Sequence, residues 1–113
     1  MAKIDGYDFG RIVVDGVEQT RDVILLPGRV VPNWWRQNGH RLVLDDLEAI
    51  LDELPERLVV GTGAYGRLTP DPEALEQLRE RGIEVEALPT GEAVRRYDAL
   101  DPNRTAAALH LTC

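Results

Sequence analysis

Residues 58–97 constrain the fold of this chain more than any other stretch, because they read as strand, glycine-rich loop, helix, strand and helix. The apolar run Leu58-Val59-Val60 gives way to glycines, and the helix that follows is predicted to end at Gly82. A second strand at residues 83–88 precedes another helix, which begins near Thr90. Two strands joined by a helix form a parallel unit, and its crossover is expected to be right-handed. The rest of the chain must cover this unit.

The first third of the chain is predicted to be a β-meander. Asp15-Gly16 is a strong hairpin signal, and it follows a strand at residues 11–14. The return strand is predicted to run from Val17 to Leu26, and a short strand follows at residues 29–31. These strands must lay one face on the rest of the domain.

Length and composition indicate one domain, residues 1–113, with 43% hydrophobic and 29% charged residues. The net charge of −7 argues against a nucleic-acid partner, which needs a basic face, and against an anionic membrane surface. No apolar stretch approaches the ~20 residues of a membrane span. The single cysteine, Cys113, excludes an intrachain disulfide and fits a cytoplasmic location.

The irregular segment 33–40 contains both tryptophans and one of the two histidines. In one interpretation, one tryptophan fills the core and Arg36 stacks on the other. In the second, the segment forms the rim of a ligand pocket or a partner surface, where Trp and Arg are enriched. His40 is likewise either a hydrogen-bonded structural group or a base or ligand. The structural interpretation is favoured in both cases.

A helix is predicted after this segment, capped by Asp45, with Glu48 completing a capping box and Pro55 ending the helix. Its acidic residues superficially resemble a metal cluster: Asp45, Asp46, Glu48, Asp52 and Glu53. Helical spacing scatters them over an exposed face, so we expect no metal site. The apolar faces of the helices and strands are expected to form one buried cluster, composed of Leu47, Ile50, Leu51, Val59, Leu75, Leu78, Val85 and Val94.

The glycine loop matches the dinucleotide-binding fingerprint at Gly61, Gly63 and Gly66, and acidic residues follow at the distance of a ribose-binding group. The helix does not begin within the motif, however, so its amides cannot meet a pyrophosphate. Asp71, at the helix start, would place negative charge where the phosphate belongs. The chain also lacks room for a second mononucleotide-binding half. We therefore expect no NAD and no other cofactor.

The loops at residues 61–66 and 89–91 leave the carboxyl ends of two predicted parallel strands, where open α/β sheets bind ligands. If the strands are neighbours, the loops converge on one crevice. Its expected ligand-binding residues are Thr62, Gly63, Thr90, Gly91, Arg36 and His40. The helix start at Thr90 suits an anion, although Glu92 adds negative charge there. The competing interpretation is that Thr90 only caps its helix and the glycines only permit tight turns.

A closing strand is predicted from Thr105 to Leu111. His110 and Cys113 are three residues apart and so face opposite sides of a regular strand, which argues against a Cys–His catalytic pair. The sequence contains no other paired acid/base or nucleophile constellation. It therefore favours a non-catalytic protein over an enzyme.

Five stretches, spread over nearly the whole chain, are distinctive in combination. They are Trp34-Trp35-Arg36, Val60-Gly61-Thr62-Gly63, Gly82-Ile83-Glu84-Val85, Thr90-Gly91-Glu92-Ala93-Val94 with Tyr97, and His110-Leu111-Thr112-Cys113. Together they resemble the Mth-domain family. That family includes adipogenesis-associated Mth domain-containing proteins and, more distantly, a mitochondrial respiratory complex I assembly factor.

The resemblance implies a single α/β domain with a central mixed, mostly parallel sheet, flanking helices and an extra β layer from the N-terminal meander. It implies no established catalytic residues and no cofactor, because the family is largely uncharacterised. The expected function is a non-catalytic binding or assembly module with a protein partner. The alternative is a protein or enzyme that binds a small anion or nucleotide-like ligand in the crevice. Monomer and homodimer both stay open.

Overall fold

Ten strands, two α-helices and one 3-10 helix make up residues 3–112, the part of the chain that the computed structural model describes. The strands are β1 (Ile4–Asp8), β2 (Arg11–Val14), β3 (Val17–Gln19), β4 (Val23–Leu25), β5 (Val30–Val31), β6 (Arg41–Leu42), β7 (Arg57–Thr62), β8 (Thr69–Pro70), β9 (Glu84–Leu88) and β10 (Thr105–His110). The helices are the 3-10 helix (Leu44–Glu53), α1 (Pro72–Glu80) and α2 (Thr90–Asp98). No helix within residues 3–112 has the length and apolar character needed to cross a membrane. Cys113 lies outside the described residues. The expectation that His110 and Cys113 face opposite sides of a strand therefore stays a prediction.

A five-stranded sheet in the order β5-β4-β10-β7-β9 forms the centre of the α/β domain. Strand β7 runs parallel to both β9 and β10, whereas β4 runs antiparallel to β10, so the sheet is mixed, as expected. In β10, Ala107 lies opposite Val59 on one side and Leu25 on the other. Every residue of β10 is buried. The strand predicted last along the chain is therefore the middle of the sheet.

The N-terminal meander forms a separate three-stranded sheet in the order β1-β2-β3. Asp15 and Gly16 both have positive φ, at 50° and 80°, as a two-residue type I′ hairpin requires. The long return strand predicted from Val17 to Leu26 is wrong. The chain leaves the small sheet after Gln19 and enters the central sheet at Val23, so β3 and β4 belong to different sheets.

The hydrophobic core is divided by the central sheet into two clusters, so the expectation of a single cluster is wrong. Side chains alternate between the two faces along a strand, and Leu58 and Val60 therefore point away from Val59. The face with Leu58 and Val60 packs against Leu47, Ile50 and Leu78, and the face with Val59 packs against Ala93, Val94 and Tyr97. Three of the expected core residues are only partly buried: Leu51, Leu75 and Val85.

The helix predicted from Asp45 is a 3-10 helix that begins at Leu44, and Asp45 does not cap it. Its first turn closes through the Asp46 amide, which donates to the Val43 carbonyl at 3.1 Å. The Asp46 carboxylate accepts the Val43 amide at 3.1 Å, so Asp46 replaces Glu48 as the residue that reaches back. The capping position lies two residues earlier than predicted, at Val43, whose backbone is extended.

Candidate binding site at the end of the central sheet

The two loops predicted to converge do meet, at Thr90 and Gly63. The Thr90 amide donates to the Gly63 carbonyl at 3.0 Å, and the Gly63 amide donates to Thr90 Oγ1 at 2.8 Å. The Thr90 hydroxyl in turn donates to the His110 carbonyl at 2.5 Å. A Cβ atom at Gly61 would lie 2.9 Å from both Thr90 Oγ1 and Leu109 Cδ2. Glycine at position 61 therefore permits this close approach of β7 to α2.

Thr90 does not cap α2, because Pro89 occupies the capping position and the Thr90 hydroxyl faces β10. Thr90 is fully buried and Thr62 is nearly so, while Gly91 is half-buried. The structure thus brings Thr62, Gly63, Thr90 and Gly91 together, but their own hydrogen bonds tie the two loops to each other. A ligand-binding role for these four residues stays a prediction.

His40 lies apart from these loops and is exposed. Its amide donates to Asn38 Oδ1 at 2.9 Å, and its carbonyl accepts the Thr69 amide at 2.9 Å. These backbone contacts hold the segment before β6 against the segment that begins β8. They support a structural position for His40, and its expected role at a ligand stays a prediction.

Arg36 belongs to a buried cluster with Asp22 and His110 at the carboxyl end of β10. Arg36 Nη1 donates to Asp22 Oδ2 at 2.8 Å, and His110 Nδ1 lies 2.8 Å from the same oxygen. Asp22 Oδ1 accepts the Leu111 amide at 2.8 Å. Burial raises the pKa of the Asp22 carboxyl group. The hydrogen bonds with His110, Leu111 and Arg36 together lower that pKa by more than burial raises it, so it lies below its usual range.

The imidazole of His110 has two competing contacts through one nitrogen. His110 Nδ1 is 2.8 Å from Asp22 Oδ2 and 3.0 Å from Arg36 Nη2. With a proton on Nδ1, the ring donates to Asp22, and without one it accepts from Arg36. Either tautomer ties the start of β4 and the end of β10 to the loop that carries Arg36.

Asp22 explains why the long return strand breaks after Gln19. Its carboxylate turns inward to meet β10 and Arg36, and the chain between Gln19 and Val23 bends with it. Asp22 and its contact with His110 are not among the site residues predicted from the sequence. The only local signal is a polar interruption, Thr20 to Asp22, in an otherwise strand-like pattern.

The two tryptophans have different environments. Trp34 is only 8% exposed and donates from Nε1 to the Asp46 carbonyl at 2.9 Å. The Arg36 guanidinium lies over the Trp34 ring, 4.7 Å from its centroid. Arg36 was expected to stack on the tryptophan outside the core, but it stacks on the buried one. Trp35 is 76% exposed. The core interpretation therefore applies to Trp34, and Trp35 has the position of a rim residue.

A surface cleft of about 580 Å³ lies beside Trp35. Residues 20–22, residues 33–36 and Thr112 line it. The cleft therefore opens where the β3–β4 crossing, the tryptophan segment and the residue after β10 meet. Among residues 3–112, no three His, Cys, Asp or Glu side chains are arranged to hold a metal ion.

Two further aromatic side chains are exposed near the end of β10. Phe9 is 58% and Tyr65 is 71% exposed, and their ring centroids are 6.4 Å apart. Arg67 lies 6.0 Å from the Tyr65 centroid. We call Phe9, Trp35 and Tyr65 together the aromatic end.

Two of the three loops of the aromatic end are held by the two residues that follow β10. Gly10, next to Phe9, donates its amide to the Leu111 carbonyl at 2.9 Å. Ala64, next to Tyr65, donates to the Thr112 carbonyl at 2.7 Å, and Thr112 also lines the cleft beside Trp35. Aromatic residues that lie far apart in the sequence are thereby brought to one end of the central sheet.

Comparison with known proteins gives a family and a set of solved structures. Residues 4–110 match the model of a family described as a protein of unknown function (DUF498/DUF598). A conserved hypothetical protein of Pyrococcus horikoshii OT3 is 32% identical, with a TM-score of 0.83 over 98% of this chain and 99% of that one. A Xanthomonas campestris protein is 25% identical, with a TM-score of 0.82 over 98% and 85%. A Mth938-like domain of Bordetella pertussis is 25% identical, with a TM-score of 0.75 over 97% and 85%.

Proposed function

The chain belongs to the Mth-domain family, described as proteins of unknown function (DUF498/DUF598), and from its geometry we propose that it is a non-catalytic binding module whose partner is another protein. The resemblance seen in the sequence is confirmed, and the family description assigns no activity. The proposal therefore rests on the aromatic end.

The placement of Phe9, Trp35 and Tyr65 beside the end of β10 is the observation that carries the proposal, and each of the three rings is more than half exposed. A fully buried aromatic side chain removes roughly 150–250 Å² from water, so a partner that covers all three would remove on the order of 300 Å². At about 25 cal/mol per Å², this burial supplies on the order of 7 kcal/mol before the costs of association. Tyr and Trp anchors of this kind dominate protein interfaces.

The buried cluster beneath the aromatic end supports a non-catalytic role. Both carboxylate oxygens of Asp22 already accept hydrogen bonds, and His110 Nδ1 contacts Asp22 and Arg36. A general base must be within hydrogen-bond reach of a proton on the substrate, whereas the Asp22 carboxylate is directed at Arg36, His110 and Leu111. Their contacts instead fix the loop that presents Trp35.

The partner-binding role is tested by replacing the exposed rings. A Phe9→Ala/Trp35→Ala/Tyr65→Ala variant and the wild type would be immobilised and used to recover proteins from the native cell. Any partner would then be purified and its affinity measured by calorimetry. We expect the triple variant to lose at least tenfold in affinity, about 1.4 kcal/mol, because the anchors are gone.

Val17→Ala is the matched control, since Val17 is 56% exposed but lies in β3. A partner that binds the triple variant as tightly as the wild type would refute the aromatic end as the interface. Sedimentation of the purified protein distinguishes a second copy of this chain from a different protein, because only self-association would depend on its own concentration.

The small-ligand alternative stays a prediction: the loops do converge at Gly63 and Thr90, but the amides of these two residues bond across the loops. Titration with phosphate and AMP, followed through backbone amide NMR shifts, tests it separately. Localised, saturable shifts at residues 62–63 and 90–92 would support a site for an anion. Flat titrations to millimolar concentration would contradict it. The cytoplasmic location also stays a prediction.

A further inference from the structure

The cleft beside Trp35 combines an exposed aromatic ring with a buried cation. Its volume of about 580 Å³ falls within the roughly 300–1,000 Å³ of small-molecule sites. Arg36 lines this cleft, and its side chain is only 5% exposed. Trp35, on the rim, is 76% exposed and free to stack on a flat group.

The guanidinium of Arg36 has a donor that residues 3–112 leave unpaired. Nη1 donates to Asp22, and Nη2 lies at hydrogen-bond distance from His110. Arg36 Nε is buried and has no hydrogen-bond partner among the described residues. A buried unpaired donor is rare in folded proteins and is most costly on a charged group. The guanidinium is planar, so Nε–H and the neighbouring Nη2 form an edge suited to a carboxylate.

The charge of the cleft is opposite to that of the chain as a whole. The chain carries a net charge of −7, yet the lining includes Arg21 and Arg36 against one carboxylate, Asp22. Both oxygens of Asp22 are occupied by hydrogen bonds. Arg21 is exposed and pairs with no carboxylate within residues 3–112. The excess of one positive charge matches a singly charged anion better than a phosphate dianion, which Asp22 would repel.

We propose that this cleft binds a monocarboxylate joined to a flat apolar group. The carboxylate accepts from the Nε edge of the Arg36 guanidinium, Arg21 adds a second positive charge, and the apolar group stacks on Trp35. The site goes beyond the partner-binding role proposed above, because it needs neither Phe9 nor Tyr65. The same chemistry comes from a free small molecule or from the end of a polypeptide.

Benzoate is the probe, and benzamide is its neutral control of nearly the same shape. We expect benzoate to give saturable NMR shifts, including the side-chain Nε–H resonance of Arg36, and benzamide to give none. Arg21→Glu should weaken benzoate binding about tenfold. Arg95→Glu should leave it unchanged, since Arg95 is also exposed and without an ion pair in residues 3–112 but lies on α2.

The proposal is overturned if benzamide binds as tightly as benzoate, or if the two arginine variants have equal effects on benzoate binding. It is also overturned if benzoate does not saturate at millimolar concentration, or if inorganic phosphate binds more tightly than benzoate. N-acetyl-phenylalanine distinguishes the sources: tighter binding than benzoate indicates a chain end, and weaker binding a free small molecule. A Phe9→Ala/Tyr65→Ala variant should bind benzoate normally even where it loses a protein partner. The two proposals therefore fail independently.

Discussion

Replacement of Asp22 by asparagine tests whether the buried cluster stabilises the fold. The side chains of Arg36 and Asp22 are 5% and 16% exposed, so water does little to screen their pairing. Complete removal of one partner from a buried ion pair costs about 3–5 kcal/mol. Asparagine keeps one oxygen for the Leu111 amide but removes the charge that faces Arg36. We therefore expect Asp22→Asn to lower the free energy of unfolding by about 2–3 kcal/mol.

The pH dependence of this loss has a defined sign. The pKa of Asp22 is lowered in the folded protein, so its carboxylate stabilises the fold above the unfolded pKa of about 3.9. That contribution disappears as the pH falls through the lower, folded pKa. The difference in stability between wild type and Asp22→Asn should accordingly be fully present near neutral pH and shrink below about pH 4.

Urea unfolding at a series of pH values, followed by tryptophan fluorescence, measures both effects. Glu53→Gln is the control, because Glu53 also pairs with an arginine, at 2.7 Å from Arg29, but on the exposed surface. It should change stability much less than Asp22→Asn. A loss at neutral pH under about 0.5 kcal/mol for Asp22→Asn, or a difference that persists unchanged in acid, would refute the reasoning.

Three further predictions follow from the packing and charge. Leu78→Ala should lower the free energy of unfolding by about 2–5 kcal/mol in denaturant titration, since Leu78 is 1% exposed; a loss below half of one kcal/mol would contradict its place in the core. Gly61→Ala should cost about 1–3 kcal/mol because its new methyl group would lie 2.9 Å from two side-chain atoms, whereas Gly28→Ala, with nothing within 4 Å, should be far milder. In gel-shift assays at physiological salt, the protein should not retain duplex DNA or RNA; binding at low micromolar protein that salt weakens steeply would show otherwise.

Elements that depend on neighbours in the sequence were predictable. The Asp15-Gly16 hairpin and the strand–loop–helix–strand–helix order of residues 58–97 both appear in the structure. Each follows from turn chemistry or from the period of apolar residues over a short stretch. The meeting of the loops at Gly63 and Thr90 was also predictable, because the carboxyl ends of neighbouring parallel strands share one edge.

The strand pairing was not predictable in the same way. Periodicity shows that β10 is apolar but does not say that it lies between β4 and β7. That insertion divides the core into two clusters and turns one predicted return strand into β3 and β4. Apolar burial is non-directional, so many arrangements of the same strands satisfy the same pattern, and the choice among them depends on long-range packing.

The sequence by itself determined the fold class, the local turns and, through the resemblance, the family. Only the tertiary structure decided the candidate site. Asp22 and His110 are 88 residues apart, and Arg36 is 74 residues from His110. Phe9, Trp35 and Tyr65 likewise come from three separate loops that lie beside the end of β10. A hydrogen-bonded cluster of this kind is specified by geometry across the domain, and spacing along the chain carries no record of it.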